Sequence, residues 1–185
     1  MALLESMVIP LGTKMPDFQI KDPWGKLFKG NEQYGEKGLL VVFTCNHCPY
    51  ALAVWSRLIR LAKHARSVGI NTLAINPNIN PSYPDDAPDK MIEKIKNWGI
   101  DFPYLVDATQ EVAKSFKAQC TPDIYFFNKD KELIYHGRID DNWQEEKKVT
   151  RQELKEAMDS YVVGRPVSPN QKSSMGCSIK WRVER

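Results

Sequence analysis

The sequence predicts an α/β protein with a central mixed sheet and helices on both of its faces. Residues 39–43 form a continuous apolar run, the pattern of a strand that is buried on both sides. Residues 49–68 follow directly and carry apolar side chains at every third or fourth position, as an amphipathic helix does. A further strand and helix come next, and this alternation is typical of a sheet whose first part is parallel.

Turn and cap residues place the elements of the first half of the chain. Residues 18–30 are expected to form an N-terminal β-hairpin extension around an Asp-Pro-Trp-Gly turn. Pro49 suits the first turn of the helix at 49–68, and Gly69 ends it. A strand at 70–75 and a helix from Pro88 to Gly99 complete this half, with Asp85 and Asp86 expected to cap the second helix.

The second half predicts a short strand, a short helix, a hairpin and a last helix. They are expected at residues 104–106, 109–116, 124–139 and 150–163, the last opened by a capping box of Thr150 and Glu153. The Pro-, Ser- and Lys-rich tail contains no further periodic segment. We therefore predict one domain at residues 1–163, and an extended C-terminal arm at 164–185 that is not a separate domain.

Composition narrows the classes of function. The chain has 185 residues, 42% hydrophobic and 26% charged, with a formal net charge of +3. A run of about eighteen apolar residues, which a membrane-spanning helix needs, does not occur. The basic residues are scattered rather than gathered on one face, so we expect no nucleic-acid partner and no membrane partner. Since the N-terminus lacks a basic segment before its apolar residues, the expected compartment is the cytoplasm.

The junction between the first buried strand and the following helix carries Cys45-Asn46-His47-Cys48. Two cysteines with two residues between them can approach to disulfide distance, about 2 Å, at the start of a helix. We expect Cys45 to lie at the positive end of the helix dipole, where a thiolate is stabilised, and Cys48 one turn inside. His47 should add positive charge and stabilise the Cys45 thiolate. The pair should therefore be more oxidising than thioredoxin, whose reduction potential is about −270 mV. These are the residues expected to be catalytic.

Two other interpretations of the same residues stay open. Cys45, Cys48 and a histidine could hold copper or zinc, since thiolate and imidazole suit both metals. The remaining candidate ligands, Cys120, Cys177, His64 and His136, are single and far apart in the sequence, which favours redox chemistry over a closed zinc site. Cys120 and Cys177 are additional candidate thiols. Cys120 is more simply explained as a small buried residue. Cys177 could be a resolving thiol on a mobile arm or a thiol docked on the domain.

The chain resembles the thioredoxin superfamily, and within it the peroxiredoxin-like branch related to alkyl hydroperoxide reductase and thiol-specific antioxidant. The resemblance covers residues 15–163 and rests on MPDFQIKDPWGK, VVFTCNHCPYA and FPYLVDATQEVAKSFKAQCTPDIYFFNKDKELIYHGRID. It implies a thioredoxin-like fold. It also implies that Pro122 is a cis-proline facing the dithiol, and that the backbone of Thr121 binds a substrate segment.

Several family residues are replaced in this chain. Thioredoxins carry an acidic residue six positions before the first cysteine, where Leu39 stands here, and Thr44 replaces their tryptophan. Peroxiredoxins use P-x-x-x-T-x-x-C. Counting back from Cys48 gives Cys45 and Val41, and counting back from Cys45 gives Val42 and Gly38, so neither register fits. The arginine of peroxiredoxins, which would fall near Thr121, is also missing. Cys48 thus has no obvious base, and strong peroxidase activity is not expected.

These observations predict a thiol–disulfide oxidoreductase in which Cys45 attacks and Cys48 resolves. No organic cofactor is expected, because electrons would come from glutathione or a thioredoxin-type dithiol protein, and the substrates would be protein or low-molecular-weight disulfides. The alternatives are a weak thiol peroxidase that uses Cys45 with Cys48 or Cys177, and the copper- or zinc-binding module. Arg138, Asp140 and Asp141, after the last strand, are expected to form local ion pairs.

Overall fold

The computed structural model describes residues 3–182 and contains ten strands and four α-helices within that range. The strands are β1 (Leu3–Glu5), β2 (Gln19–Lys21), β3 (Leu27–Lys29), β4 (Gly38–Phe43), β5 (Ile70–Asn76), β6 (Tyr104–Val106), β7 (Cys120–Thr121), β8 (Asp123–Asn128), β9 (Leu133–His136) and β10 (Met175–Ser178). The helices are α1 (Pro49–Ser67), α2 (Pro88–Trp98), α3 (Glu111–Ser115) and α4 (Glu153–Val162).

Seven strands form the central mixed sheet, in the order β3-β2-β6-β5-β4-β8-β9. β4 pairs in parallel with β5, and β5 with β6, whereas the other neighbours are antiparallel. β2 and β3 form the hairpin predicted at the N-terminus. The predicted fold class is therefore confirmed.

The central strand β4 separates two apolar cores because its side chains alternate between the faces of the sheet. Leu40 and Val42 face a core to which α1, α2 and α4 contribute. Leu39, Val41 and Phe43 face a second core, which α3 and the N-terminal segment cover. All of β4 is buried, which accounts for its continuous apolar sequence.

A second sheet contains three strands, in the order β1-β10-β7. Its middle strand β10 comes from the C-terminal tail and pairs antiparallel with both neighbours. The tail is thus docked on the body of the protein over these residues rather than free. The division into a domain at 1–163 and an arm at 164–185 remains a prediction.

Two helix starts differ from the sequence predictions. α4 begins at Glu153 without a side-chain cap, because Thr150 contacts Asp141 and Glu153 binds Arg138. The capping box is therefore wrong. α2 begins at Pro88, also without a side-chain cap, so the predicted capping role of Asp85 and Asp86 is wrong as well. In residues 3–182, no helix is both long and apolar enough to cross a membrane.

Candidate active site

The two cysteines lie in the loop that leads from β4 into α1, at the carboxyl end of a parallel strand, where α/β sheets place their chemistry. Pro49 is the first helical residue and Cys48 is the N-cap, with an extended backbone at φ −71° and ψ 125°. The first helical hydrogen bond runs from the Leu52 N–H to the Cys48 carbonyl, at 2.8 Å. Cys48, not Cys45, therefore lies at the helix N-terminus, and the predicted placement was wrong.

Both sulfur atoms are buried and face the loop that contains the proline. Cys45 Sγ lies 3.3 Å from the hydroxyl of Thr121, and the Cys48 thiol can donate to the Thr121 carbonyl at 3.3 Å. The Thr121–Pro122 peptide bond is cis, as the family resemblance implied. Thr121 therefore contacts both members of the dithiol, and the proline loop faces them as predicted.

Hydrogen-bond donors gather around Cys48. The pKa of its thiol is lowered to about 5, first because the Cys45 thiol donates to it, against the opposing effect of burial. The side chain and backbone N–H of Cys177 and the backbone N–H of Ala51 contribute further hydrogen bonds. The Ala51 donor belongs to the first turn of α1, whose N–H groups have no partner within the helix. Of the two thiols, Cys48 is therefore the one whose surroundings favour ionisation.

Cys45 has the opposite surroundings. Burial, its hydrogen bond to Cys48 and the negative charge of Asp86 raise the pKa of Cys45 well above its ordinary value. The expectation that His47 would stabilise a thiolate at Cys45 is therefore wrong. The physical reason is that His47 contacts the buried carboxylate of Asp86, whose negative charge opposes a thiolate at Cys45.

That carboxylate belongs to Asp86, which is fully buried and is the main acidic residue of the site. It accepts hydrogen bonds from the backbone N–H of Asn46 at 2.6 Å and from the side chain of Asn76 at 2.9 Å, and it contacts Nδ1 of His47. Sequence reasoning missed this role. A signal was present, since Asp86 follows β5, the parallel neighbour of β4, and the carboxyl ends of such strands share one edge of the sheet.

The loop before Cys48 is fixed from three directions. The indole N–H of Trp55 donates to the Cys45 carbonyl at 3.1 Å, and the Tyr104 hydroxyl donates to the Asn46 side chain at 3.0 Å. The Lys94 ammonium donates to the Asn46 carbonyl at 3.3 Å, and burial lowers the pKa of Lys94 to about 8. Side chains of α1 and α2 therefore bind the carbonyl groups of Cys45 and Asn46 in the loop of the dithiol.

The candidate third thiols have different surroundings. Cys177, on β10, packs with Cys45, Cys48 and Ala51 in a small buried cluster, and burial raises its pKa to about 12. Cys120 is also fully buried, but it is not part of this cluster, and its thiol donates to the Pro122 carbonyl at 3.7 Å. The prediction of Cys120 as a small buried residue is confirmed, and Cys177 is docked rather than mobile.

Of the charged residues after β9, Arg138 and Asp140 form ion pairs as predicted, whereas Asp141 accepts hydrogen bonds from Thr150 instead. Arg57 donates to Asp140 at 2.6 Å in a buried pair, and Arg138 binds Glu153. His64 contacts Asp159, and the ring of His136 lies 2.9 Å from the Asp123 carboxylate.

A cleft of about 340 Å³ opens beside Pro122. It is bordered by charges of both signs, namely Glu5, Arg138, Asp140, Asp141 and Lys172. The segment that leads into β10 forms part of its wall.

Three side chains have the chemistry of metal ligands. One atom each from Cys45 (Sγ), His47 (a ring nitrogen) and Asp86 (a carboxylate oxygen) lies within 4.8 Å of the other two. Nε2 of His47 is buried and has no hydrogen-bond partner among the described residues. Sulfur, imidazole and carboxylate are all zinc ligands, so this set fits a metal better than the predicted set that included Cys48.

Comparison with known proteins gives two close structural relatives. An uncharacterized conserved protein from Geobacillus kaustophilus is 37% identical with a TM-score of 0.94, and the match covers 100% of this chain and 99% of that one. A hypothetical protein from Sinorhizobium meliloti 1021 is 36% identical with a TM-score of 0.91, and the match covers 97% of this chain and 99% of that one.

A more distant structure shows the same fold, and a family profile shows the family. Peroxidoxin BcpB from Mycobacterium tuberculosis shares the fold, at 16% identity and a TM-score of 0.57 over 83% of this chain and 94% of that one. No curated protein matches the sequence. The profile of the AhpC/TSA family matches residues 11–136. The chain therefore belongs to the AhpC/TSA family, a peroxiredoxin-like branch of the thioredoxin superfamily, and its chemistry is thiol oxidation and reduction.

Proposed function

We propose that the protein is a thiol–disulfide oxidoreductase in which Cys48 attacks and Cys45 resolves, the reverse of the roles predicted from the sequence. The observation that carries this assignment is the position of Cys48 at the N-terminus of α1, among donors that lower its pKa to about 5. A thiolate is the nucleophile in disulfide exchange, and its formation is favoured by such donors. Cys45, buried and protonated, suits the second step.

The reaction would proceed in two exchanges. The Cys48 thiolate attacks one sulfur of a substrate disulfide, and the other sulfur leaves as a thiolate that takes up a proton. The Cys45 thiol then loses its proton and attacks Cys48, which releases the second substrate thiol and leaves a Cys45–Cys48 disulfide. Two electrons pass from the two protein thiols to the substrate disulfide.

Asp86 and His47 are the groups available to accept the proton of Cys45. Their nearest ligand atoms lie within 4.8 Å of Cys45 Sγ, a distance that one bridging water spans. The pair would accept the proton of the resolving thiol, as the buried acidic residue does in thioredoxins, although it lies at a different position in the chain. Asp86 also holds His47 in place through Nδ1.

The partners belong to this proposal too. Electrons would be supplied by glutathione or a thioredoxin-type dithiol protein in the cytoplasm, with no organic cofactor. Substrates would be protein or low-molecular-weight disulfides. The cleft of about 340 Å³ beside Pro122 is the candidate place for a substrate segment, although neither cysteine of the dithiol lines it. Peroxide reduction is the alternative reaction, but Cys45 stands where peroxiredoxins have the threonine hydroxyl that helps to polarise the O–O bond.

Trapping with glutathione disulfide tests the assignment of roles. Cys177→Ser is included in each variant, so that no third thiol takes part. We expect Cys45→Ser/Cys177→Ser to accumulate a glutathione adduct at Cys48, and Cys48→Ser/Cys177→Ser to form almost none at Cys45. Mass spectrometry of protease fragments measures both, and Cys120→Ser is the control. A stable adduct at Cys45 and none at Cys48 would restore the sequence-based roles.

A metal-binding module is the second candidate, favoured by the grouping of Cys45, His47 and Asp86. A metal held there would occupy the thiol that the exchange mechanism needs for resolution, so the two functions exclude each other. Metal analysis of protein purified under reducing conditions distinguishes them. The module requires stoichiometric zinc or copper that is lost in Asp86→Asn and retained in Asp85→Asn, where the neighbouring exposed carboxylate is removed instead. A metal-free wild type rejects it.

A further inference from the structure

Strand β10 covers the part of the fold that thioredoxin-like proteins use for recognition. It pairs antiparallel with β7, so that Cys177 lies opposite Thr121 and Ser178 opposite Cys120. Thr121 is the residue that contacts both Cys45 and Cys48. A segment of the chain's own tail therefore occupies the backbone edge that the family resemblance assigns to a substrate.

Gly176 explains how β10 comes so close. A Cβ atom at this position would lie 2.0 Å from the Thr121 carbonyl oxygen and 3.1 Å from the nitrogen of Pro122. Only glycine permits this approach of the two backbones. The next residue, Cys177, is then placed in the buried cluster with Cys45 and Cys48.

We propose that Cys177 is a third redox thiol, which forms a disulfide with Cys48 and fastens β10 over the site in the oxidised protein. Cys177 would occupy the place of a substrate cysteine, supplied by the protein itself. This inference rests on the proposed function, because it requires Cys48 to be the attacking sulfur, and it is carried by the packing of Cys177 with Cys48. It goes further in naming a second resolving group and a closed form of the site.

The chemistry balances without another reactant. After Cys48 has attacked a substrate disulfide and one substrate thiol has left, Cys48 carries the other substrate sulfur. Cys177 attacks the Cys48 sulfur, a Cys48–Cys177 bond forms, and the Cys48–substrate bond breaks. The Cys177 proton passes to the departing substrate thiolate, and two electrons have moved from Cys48 and Cys177 to the substrate. A second thiol donor, such as two glutathione molecules, reverses the step and releases β10.

Glutathione disulfide on full-length variants tests the proposal. In Cys45→Ser, we expect the loss of two free thiols and a fragment in which Cys48 is linked to Cys177, seen by mass spectrometry without reduction. Cys45→Ala, a second variant with the same expected product, covers the case in which one substitution disturbs folding. Cys45→Ser/Cys120→Ser is the matched control and should give the same linked fragment.

The outcomes separate this proposal from the proposed function. A stable glutathione adduct at Cys48 in Cys45→Ser and Cys45→Ala, with Cys177 still free, would overturn the role of Cys177 and leave Cys48 as the nucleophile. Absence of any adduct or disulfide at Cys48, also in Cys45→Ser/Cys177→Ser, would overturn both. Hydrogen exchange adds an independent measure, since the Cys48–Cys177 disulfide should increase the protection of residues 175–178 in oxidised Cys45→Ser.

Discussion

Cys45 and Cys48 are three positions apart, yet their surroundings favour opposite protonation states. Cys48 receives a hydrogen bond first from Cys45, and further ones from Cys177 and from the first turn of a helix. Cys45 lies near Asp86, whose negative charge opposes a second one. A buried thiolate needs donors, and a buried thiol near a carboxylate keeps its proton. The division of labour between the two sulfurs follows from these neighbours.

The pH dependence of alkylation measures this difference. The pKa of Cys48 is about 5, so the thiolate fraction is nearly constant above pH 6 and falls as the pH drops through 5. We expect the rate of iodoacetamide modification at Cys48 to follow that curve, whereas an ordinary thiol has its midpoint at about 8.5. Cys45→Ala, which removes the main donor, should move the midpoint upward, and Cys120→Ser should not. A wild-type midpoint near that of a free thiol would contradict the assignment.

Asp86→Asn tests the proposed proton acceptor. The amide keeps an oxygen for Asn46 and Asn76 but loses the charge. Two effects oppose each other, because removal of the charge also makes the Cys45 thiol easier to ionise. A positioned base contributes about 10²–10⁴-fold, whereas the charge of Asp86 is a smaller cause of the raised pKa of Cys45 than burial and the hydrogen bond to Cys48. We therefore expect slower release of glutathione from Cys48.

The measurement is single-turnover release of glutathione from the mixed disulfide at Cys48, in a Cys177→Ser background. Asp85→Asn is the matched control, since it removes an exposed carboxylate one residue away. Equal rates in Asp86→Asn and Asp85→Asn would rule out the Asp86–His47 pair as proton acceptor. A steeper pH dependence in Asp86→Asn alone would support it.

Among the elements, α1 and β10 act on the same sulfur from two sides. The start of α1 presents backbone N–H groups to Cys48, and its first turn is fixed by Pro49. β10 brings Cys177 against the same atom and covers it. The helix therefore adds a donor to the hydrogen bond from Cys45, while the strand covers the Cys48 sulfur.

Gly176→Ala should loosen β10 without touching the dithiol. The added methyl group would lie 2.0 Å from the Thr121 carbonyl, so the strand must move away. Overpacking of this kind costs about 1–3 kcal/mol, which corresponds to about 5- to 150-fold more of the open form. We expect alkylation of Cys48 at pH 7 to accelerate by that factor. Ser173→Ala, in the segment before β10, is the control, and an unchanged rate in Gly176→Ala would show that β10 does not limit access.

At the scale of the whole molecule, the C-terminal tail belongs to the three-stranded sheet and to one of the two cores that flank the central sheet. β10 is the central strand between β1 and β7. Ile179, directly after it, is 3% exposed and packs in the core that lies against Leu39 and Phe43. The tail should therefore unfold together with the rest of the domain.

Ile179→Ala measures this cooperativity. Removal of a buried isoleucine side chain costs about 2–5 kcal/mol if its surroundings belong to the cooperative core. We expect that loss in the free energy of unfolding of the full chain, measured by urea denaturation. Val163→Ala is the control, because Val163 is 63% exposed and its truncation should cost little. A loss below that of Val163→Ala would mean that the tail is separate from the core.

Local sequence features determined the fold class and the place of the dithiol. The apolar run of β4, the stripe on α1 and the Pro and Gly residues at helix ends are properties of short segments, so they could be recognised without a structure. The position of Cys45 and Cys48 after a buried strand followed from the same pattern. The family resemblance predicted that the loop of Thr121 and Pro122 faces the dithiol, and the structure agrees.

Only the tertiary structure decided the chemistry of the individual sulfurs. Asp86 approaches Cys45 from about 40 positions along the chain, and Cys177 approaches Cys48 from more than 120. Neither contact can be recognised from a periodic pattern in the sequence. Strand pairing between distant segments depends on backbone hydrogen bonds and on the space that Gly176 leaves open. Thr150 likewise followed a local capping pattern but bonded to Asp141 instead. The pKa of a buried thiol depends on which donors and charges surround it, and these are assembled only when distant segments pack together.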